Sequence, residues 1–357
     1  MTSRRLALTA VVLLLAASCS VPTSTRPVGV EIDARSLSLD PALLDTPTLP
    51  AWLVDAEMPL RLDAVLELRG DHADFGGLSG MVLEPATTGA DHATCLDGAR
   101  LLVVTDRGRW LEARLRAPDG PLVGFESARL GALRETDGRP VGGRMRHDAE
   151  EITAWGGGLV VAYEGDHRLM LHTDAAPPLD DPRPRQLPVP EAVAVLAEND
   201  GLEALTGLGD GLLLALAEKS TRDGEVAALR GWVGDPRSAE GWRALRIAAT
   251  GPLEATGVAL LPWRDVLLLE RYFDPIDERV HVRLSTLAVD ALIAASPDEL
   301  VPTREVLRFP DALPVDNFEA VAVLPVDGGV TVLVLADDNF SPAQRTLLLQ
   351  LFLPTPA

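Results

Sequence analysis

Two short apolar runs, each bounded by one carboxylate, lie between residues 316 and 346, and the arrangement recurs along the chain. Glu319 precedes Ala320–Leu324, and Asp337 follows Thr331–Ala336. Both runs are rich in Val, Leu and Ala and too short for helices, so they read as buried strands. The link Pro325–Gly329 carries Pro, Asp and two Gly, the composition of a turn. Antiparallel pairing brings the start of the first strand beside the end of the second, and Glu319 beside Asp337.

The motif is a polar residue, a small or acidic one, then an apolar run. It returns at Ser79-Gly80-Met81, Glu150-Glu151-Ile152, Glu203-Ala204-Leu205, Thr256-Gly257-Val258 and Glu319-Ala320-Val321, with starts 71, 53, 53 and 63 residues apart. A second run ending in an acid follows each: Asp106, Glu164, Glu218, Glu270 and Asp337. Two further strands fit after each pair except the last, where only Thr346–Leu353 remains, and Leu60–Leu68 is free at the front to complete that sheet. Closure of this kind removes the open edges of a sheet. The spacing predicts an all-β chain, a β-propeller of five four-stranded blades. Six blades are the alternative, because the first interval has room for another. A pair of β-sandwiches leaves the repeated acids unexplained.

In a propeller the first strand of each blade lines the central channel. Ser79, Glu150, Glu203, Thr256 and Glu319 are then expected to ring its mouth. Asp106, Glu164, Glu218, Glu270 and Asp337 form a second ring, with Asp148, Asn199, Asp316 and Asp338 nearby. Crowded carboxylates must protonate, pair with bases or hold cations. An oxygen-only donor set favours Ca²⁺ or Mg²⁺. The expected cation ligands are Asp106, Asp148, Glu164, Glu218, Glu270, Asp316 and Asp337, with Ca²⁺ the expected ion. Glu150, Glu203 and Glu319 are the candidate catalytic carboxylates. Arg107, Arg109, Lys219 and Arg271 are positioned to grip phosphate or carboxylate oxygens. The plainer alternative is that the acids fix turns through backbone N–H groups and the bases pair with them. His147 is a candidate base, with a surface-loop histidine the simpler reading. Gly77-Leu78-Ser79-Gly80 only partly echoes a nucleophile elbow, and Ser79 enters a strand where an elbow needs a strand-to-helix turn.

The formal charge of −21 excludes a basic nucleic-acid face and simple attraction to anionic lipid. Cys19 and Cys95 are the only cysteines, too few for a disulfide framework or a cysteine zinc site. Residues 1–18 read as an export signal, with Arg4 and Arg5 before the apolar Leu6–Ala17. Ala16-Ala17-Ser18-Cys19 is similar to a bacterial lipoprotein signal, with lipidation expected at Cys19; a plain cleaved secretory peptide is the alternative. Residues 19–58 carry many Pro, Thr and Ser and read as a tether. The expected location is periplasmic or cell-envelope, with a lipid anchor as the only membrane contact and a monomer as the state.

Several stretches resemble the bacterial phytase-like family, named for an esterase-like activity of phytase. They are Phe75-Gly76-Gly77-Leu78-Ser79-Gly80, Thr105-Asp106-Arg107-Gly108, Asp148-Ala149-Glu150 and Asn199-Asp200-Gly201-Leu202-Glu203. Glu270-Arg271, Asp316-Asn317-Phe318-Glu319 and Asp337-Asp338-Asn339-Phe340 continue the pattern, through Gln344 and Thr346. Glu319-Ala320 and Glu150-Glu151 depart mildly from it and keep the acids. The resemblance spans roughly residues 60–353, and residues 59–357 are taken as one domain. It implies an exported hydrolase of phosphoric or carboxylic esters, here metal-dependent and acting on a small molecule. A non-catalytic surface propeller that binds a ligand or protein, and a lactonase-type hydrolase, are the alternatives.

Overall fold

The computed structural model describes residues 26–37, 60–86, 96–143, 146–173, 178–197, 200–223, 226–249, 251–276, 279–309, 313–314 and 316–356. The expected export signal, Cys19, Cys95, Asn199 and most of the expected tether lie outside these residues. The described chain opens with β1 (Val28–Gly29), β2 (Ile32–Ser36) and β3 (Arg61–Gly70). The first blade is β4 (Leu78–Glu84), β5 (Arg100–Thr105), β6 (Arg109–Arg116) and β7 (Gly124–Ala132). The second is β8 (Ala149–Trp155), β9 (Gly158–Tyr163), β10 (Arg168–His172) and β11 (Arg185–Leu187). The third is β12 (Leu202–Gly209), β13 (Leu212–Asp223), β14 (Val226–Gly234) and β15 (Trp242–Ala248). The fourth holds β16 (Glu254–Leu260), β17 (Asp265–Asp274) and β18 (Arg279–Ala288). After α1 (Val289–Ala294) and β19 (Leu300–Val301), β20 (Arg304–Arg308) completes it. The fifth is β21 (Asn317–Val326), β22 (Gly329–Asp337) and β23 (Thr346–Pro354).

Within each sheet these strands pair in chain order, and β3 joins β23 as the fourth strand of the fifth blade. The inner strands contact one another in the cycle β4, β8, β12, β16, β21 and back to β4. The result is a closed β-propeller of five blades, as the repeat predicts. Five clusters of buried Leu, Val and Ala fill the interfaces between neighbouring blades. Alternation along each strand sends one set of apolar residues to the preceding blade and the other to the next.

The expected tether needs correction where it is described. β1 pairs with β7 at the edge of the first blade, and β2 pairs with β3 at the edge of the fifth. Val28, Ile32 and Ala34 pack on the core between those two blades, so this segment spans the seam where the ring closes. Val28, Val30, Ile32 and Ala34 alternate with period two, a strand pattern that the surrounding Pro, Thr and Ser outweigh when the whole stretch is read as a linker. β19 likewise adds a parallel edge strand to the third blade, on β15.

Each inner strand carries one extra residue relative to its partner, near its start. The register jumps between Leu78 and Met81, Ala149 and Glu151, Leu202 and Ala204, Ala255 and Gly257, and Phe318 and Ala320. These are β-bulges, which bend a strand and re-aim a side chain. The residues they displace are Ser79 with Gly80, Glu150, Glu203, Thr256 and Glu319, the same set the sequence places in the first ring.

One position later the blades carry small residues, Gly80, Ala204, Gly257 and Ala320, except that the second blade carries Glu151. A Cβ on Gly80 would meet the Glu151 Cα at 2.4 Å and its Oε1 at 2.5 Å. Glu151 is 1% exposed and accepts from the Ile152 N–H at 2.9 Å. Its carboxyl also faces the backbone N–H groups of Met81 in the first blade and Val258 in the fourth. Burial pushes its pKa well above the ordinary value, so the neutral acid is favoured. Glu151 thus packs among three inner strands, bonded to Ile152 through Oε1, with its Oε2 buried and without a hydrogen-bond partner among the described residues. Beyond this level lies a cavity of about 530 Å³ lined by Met81, Ile152, Trp155, Val258 and Val321 among others.

Glu151→Ala should lower unfolding stability by about 2–4 kcal/mol, by opening a void and leaving backbone donors unmet. Glu151→Gln, which keeps the volume and an acceptor oxygen, should stay within about 1 kcal/mol of the parent. Urea titrations of both variants check this.

Candidate functional site

The bulges bring the first-ring side chains to the end of the propeller where the inner strands begin. Pairing Asn317 with Asp337 sets the ends of β21 and β22 side by side, as expected for that hairpin. The same register applied to every blade defines the second ring. Asp337 follows Ala336, the partner of Phe318; Asp106 follows Thr105, Glu164 follows Tyr163 and Glu218 follows Ala217 in equivalent pairs. In the fourth blade Glu270 is the partner of Ala255, so the ring position falls to Arg271.

Glu270 is therefore not in the ring, which corrects the sequence expectation. A one-residue offset in a strand sends a side chain to the opposite face. Glu270 is fully buried, accepting from Arg283 Nε at 2.8 Å and Nη2 at 2.5 Å and from Ser285 Oγ at 2.8 Å. Arg271 instead reaches Glu319 of the fifth blade at 3.2 Å. With Thr256 in its first ring and Arg271 in its second, the fourth blade supplies a cation where the others supply acids.

The densest acidic region lies on the second and third blades. Ligand atoms of Asp148, Glu150 and Glu164 lie within 4.8 Å of one another, and so do those of Glu164, Glu203 and Glu218. Glu164 is common to both triads, and it shares a hydrogen bond with Glu203. Burial, then the charges of Asp148 and Glu164, raises the Glu150 pKa well above the ordinary range. Burial, then Glu150, Glu164 and Glu218, does the same to Glu203. Burial raises Glu164 to about 7. Glu218 is also raised by burial, with Lys219 and Arg271 opposing. Glu319 is raised to about 7 by burial, against the pull of Arg271.

On the first and fifth blades the acids are more committed to the backbone. Asp337 accepts from Leu78 N–H at 2.9 Å and Asn339 N–H at 2.8 Å, tying the fifth blade to the first, and burial still lifts it to about 6. Asp316 accepts from the N–H groups of Asn317 and Arg345, a loop-fixing role. Asp106 differs: burial, then Asp337 and Asp148, raises it to about 8, and its Oδ1 is buried with no hydrogen-bond partner among the described residues. Gly77 makes this approach possible. Its φ is +59°, and a Cβ there would lie 2.0 Å from Asp106 Oδ1.

The bases divide too. Arg107 is exposed and lies over the Phe340 ring, 3.1 Å from its centroid. Lys219 is half exposed and pairs with Asp200 at 2.6 Å and Glu218 at 3.7 Å. Arg109 is buried and bonded to Asp74, so it anchors the 71–77 segment. His147 Nδ1 sits 2.5 Å from the Asp106 carbonyl, which fixes a loop. Sequence reasoning gives no role to Glu151 or Asp200, and reads Phe340 as a turn and core anchor where the structure sets it under the Arg107 guanidinium. Glu151 was detectable as the one acid in a column of Gly and Ala; the contacts of Asp200 and Phe340 depend on loop conformation.

A family model described as "Phytase-like: Esterase-like activity of phytase" matches residues 73–340. No curated protein matches the chain. Among solved structures it is similar to a glutaminyl cyclase from Myxococcus xanthus, with 12% identity over 83% of this chain and 97% of that one and a TM-score of 0.39. It is also similar to the PQQ-bound aldose sugar dehydrogenase of Streptomyces coelicolor, with 13% identity over 83% and 99% of the two chains and a TM-score of 0.38. A nidogen/laminin complex gives 9% identity over 81% and 96%, with a TM-score of 0.38.

Two predictions follow from the electrostatics. Asp106, Glu164, Glu319 and Asp337 have folded pKa values near 8, 7, 7 and 6, above their ordinary values. The folded state then holds protons that the unfolded chain releases. Their stabilisation is complete below about pH 4 and is lost as pH rises through 6–8. Buried His172, lowered to about 4 by burial, acts oppositely, and its contribution is lost as pH falls from about 6.5 toward 4. Cation-free protein should melt highest at mildly acidic pH and lose melting temperature steadily toward pH 8.5, in scans across that range. Separately, Glu270→Gln should cost about 1–3 kcal/mol in denaturant titrations by replacing a buried charge-assisted pair with a neutral one, Arg283 keeping Glu305 at 3.8 Å, with cation affinity unchanged.

Proposed function

The chain belongs to the phytase-like family, and from that premise we propose that it is a metal-dependent hydrolase of phosphoric esters acting at the acidic mouth of the propeller. The observation that carries this reading is the pair of carboxylate triads sharing Glu164. Five acids cannot all ionise at that spacing without a counter-charge. The fit with a hard divalent cation rests on the donor set: every group in both triads is a carboxylate. The orphaned Oδ1 of Asp106 adds an acceptor with nothing to accept from. Asp148, Glu150 and Glu164 would hold one cation, and Glu203 and Glu218 with Glu164 a second. Ca²⁺ is the proposed ion, and bound there it supplies Lewis acidity toward a phosphoryl oxygen.

The remaining roles belong to the chain's own side chains. Arg271 and Lys219, paired with Glu319 and with Asp200 beside the triads, would turn to hold phosphoryl oxygens. Arg107, stacked on Phe340, offers a third cation at the rim. Glu319, with a pKa near 7, exists in both protonation states at neutral pH, as a general base needs. Its Oε1 is held by Asn317 Nδ2 and Arg271, so its second oxygen is left to take a proton from an attacking water. Glu150 and Glu203 favour the protonated form and would have to release that proton to serve as cation ligands. Export and a lipid anchor at Cys19 belong to the same proposal, which sets a small-molecule ester outside the cytoplasm as substrate.

Calorimetric Ca²⁺ titration of chelator-treated protein should show binding that Glu164→Gln abolishes, since both triads lose their common member. Turnover of 4-nitrophenyl phosphate should disappear with chelator and in Glu319→Gln, while that variant still binds Ca²⁺. A propeller that binds Ca²⁺ yet turns over neither phosphoric nor carboxylic esters would be a binding module instead.

A further inference from the structure

The strands that end at the acidic rings are unequal. β5 stops at Thr105, β9 at Tyr163 and β22 at Asp337, level with the second ring. β13 runs on to Asp223, beyond Glu218, and β17 to Asp274, beyond Arg271. Adjacent third and fourth blades therefore raise a wall of strand over one side of the acidic end, whereas in the first, second and fifth blades the chain passes into loops at that level, such as those carrying His147 and Phe340.

Alternation fixes which side chains this wall presents. Leu267 and Leu269 belong to the core shared with the fifth blade, and Arg271 on the same face of β17 reaches Glu319. Phe273 is the next residue on that face. It stands one step outward of Arg271, about 7 Å along the strand. Its cross-strand partner Val280 packs on the same core, yet Phe273 itself is 50% exposed. It is the only aromatic among the large apolar side chains left exposed in the described residues. Nothing in the fold accounts for an uncovered phenyl ring beside a cation and a carboxylate.

We propose that Phe273 is a specificity-determining residue, which receives an aromatic or alkyl alcohol group of the ester while Arg271 meets its phosphoryl oxygens. The spacing of the two side chains along β17 matches a phosphomonoester with its apolar group next to phosphorus. An offset or edge contact with a substrate ring buries apolar area on both sides. The substrate class is thereby narrowed to phosphomonoesters of apolar alcohols. This inference rests on the phosphoester reading above.

The test uses two ligands that are not hydrolysed, phenylphosphonate and methylphosphonate, titrated by calorimetry into Ca²⁺-loaded protein and its Phe273→Ala and Phe273→Tyr variants. The parent should bind phenylphosphonate about ten-fold more tightly than methylphosphonate. Phe273→Ala should erase that preference while methylphosphonate affinity, Ca²⁺ affinity and melting temperature hold, and Phe273→Tyr should restore it. An unchanged preference in Phe273→Ala, an equal loss for both ligands, or no preference in the parent overturns the role of Phe273 alone. Absence of binding by either phosphonate overturns the phosphoester reading and this inference with it.

Discussion

One extra residue near the start of every inner strand is the constraint on which the acidic end depends. A regular strand would send Glu150, Glu203 and Glu319 to a blade interface, into cores made of Leu, Val and Ala. The bulge breaks that alternation once per blade, at the same level each time. The small residues that follow it let neighbouring inner strands close up, as the 2.4 Å approach of a Gly80 Cβ to the Glu151 backbone shows. Carboxylates are thus carried to the axis on rigid strands, and the loops around them have only to trim the site.

Concentrating acids this way is unfavourable, and the molecule relieves it unevenly. Asp337 and Asp316 are satisfied by backbone N–H groups, and Glu319 by Arg271 and Asn317. The cluster on the second and third blades has less help: Lys219 answers to Asp200 first, and Glu164 and Glu203 lean on each other. Acidity is strongest where compensation is weakest, and there a cation gains most. The fourth blade supplies the counterweight. By carrying Thr256 and Arg271 it sets a cation beside the acids of the third and fifth blades, Glu218 and Glu319, and together with the third blade it raises the wall over them.

The blade count, the closing strand and the strand-start positions of the first-ring residues were legible in the sequence because each rests on a short continuous apolar run next to a polar residue. β3 was recognisable as a strand in search of a partner, since β23 ends the chain with its sheet one strand short. Glu270 was misplaced because acid-after-apolar is a pattern of composition, and only the bulge register shows that Arg271 holds the equivalent position. Arg109 looked available because its partner Asp74 is distant in sequence. The seam strands β1 and β2 were missed although Val28, Val30, Ile32 and Ala34 alternate as a strand does, because the Pro, Thr and Ser on either side dominate the composition of the stretch. Interactions set by local pattern could be read directly, whereas those set by register or by loop closure could not.

The central claim is that the shared-Glu164 cluster is a cation site and not merely a protonated acid cluster. Anomalous diffraction from crystals of the mature protein, grown above pH 7 and soaked in a lanthanide salt as a Ca²⁺ substitute, tests it most directly. The account predicts density among Asp148, Glu150 and Glu164, and a second peak where Glu203 and Glu218 meet Glu164. Crystals showing no peak there, with the carboxylates still paired through protons, would contradict it.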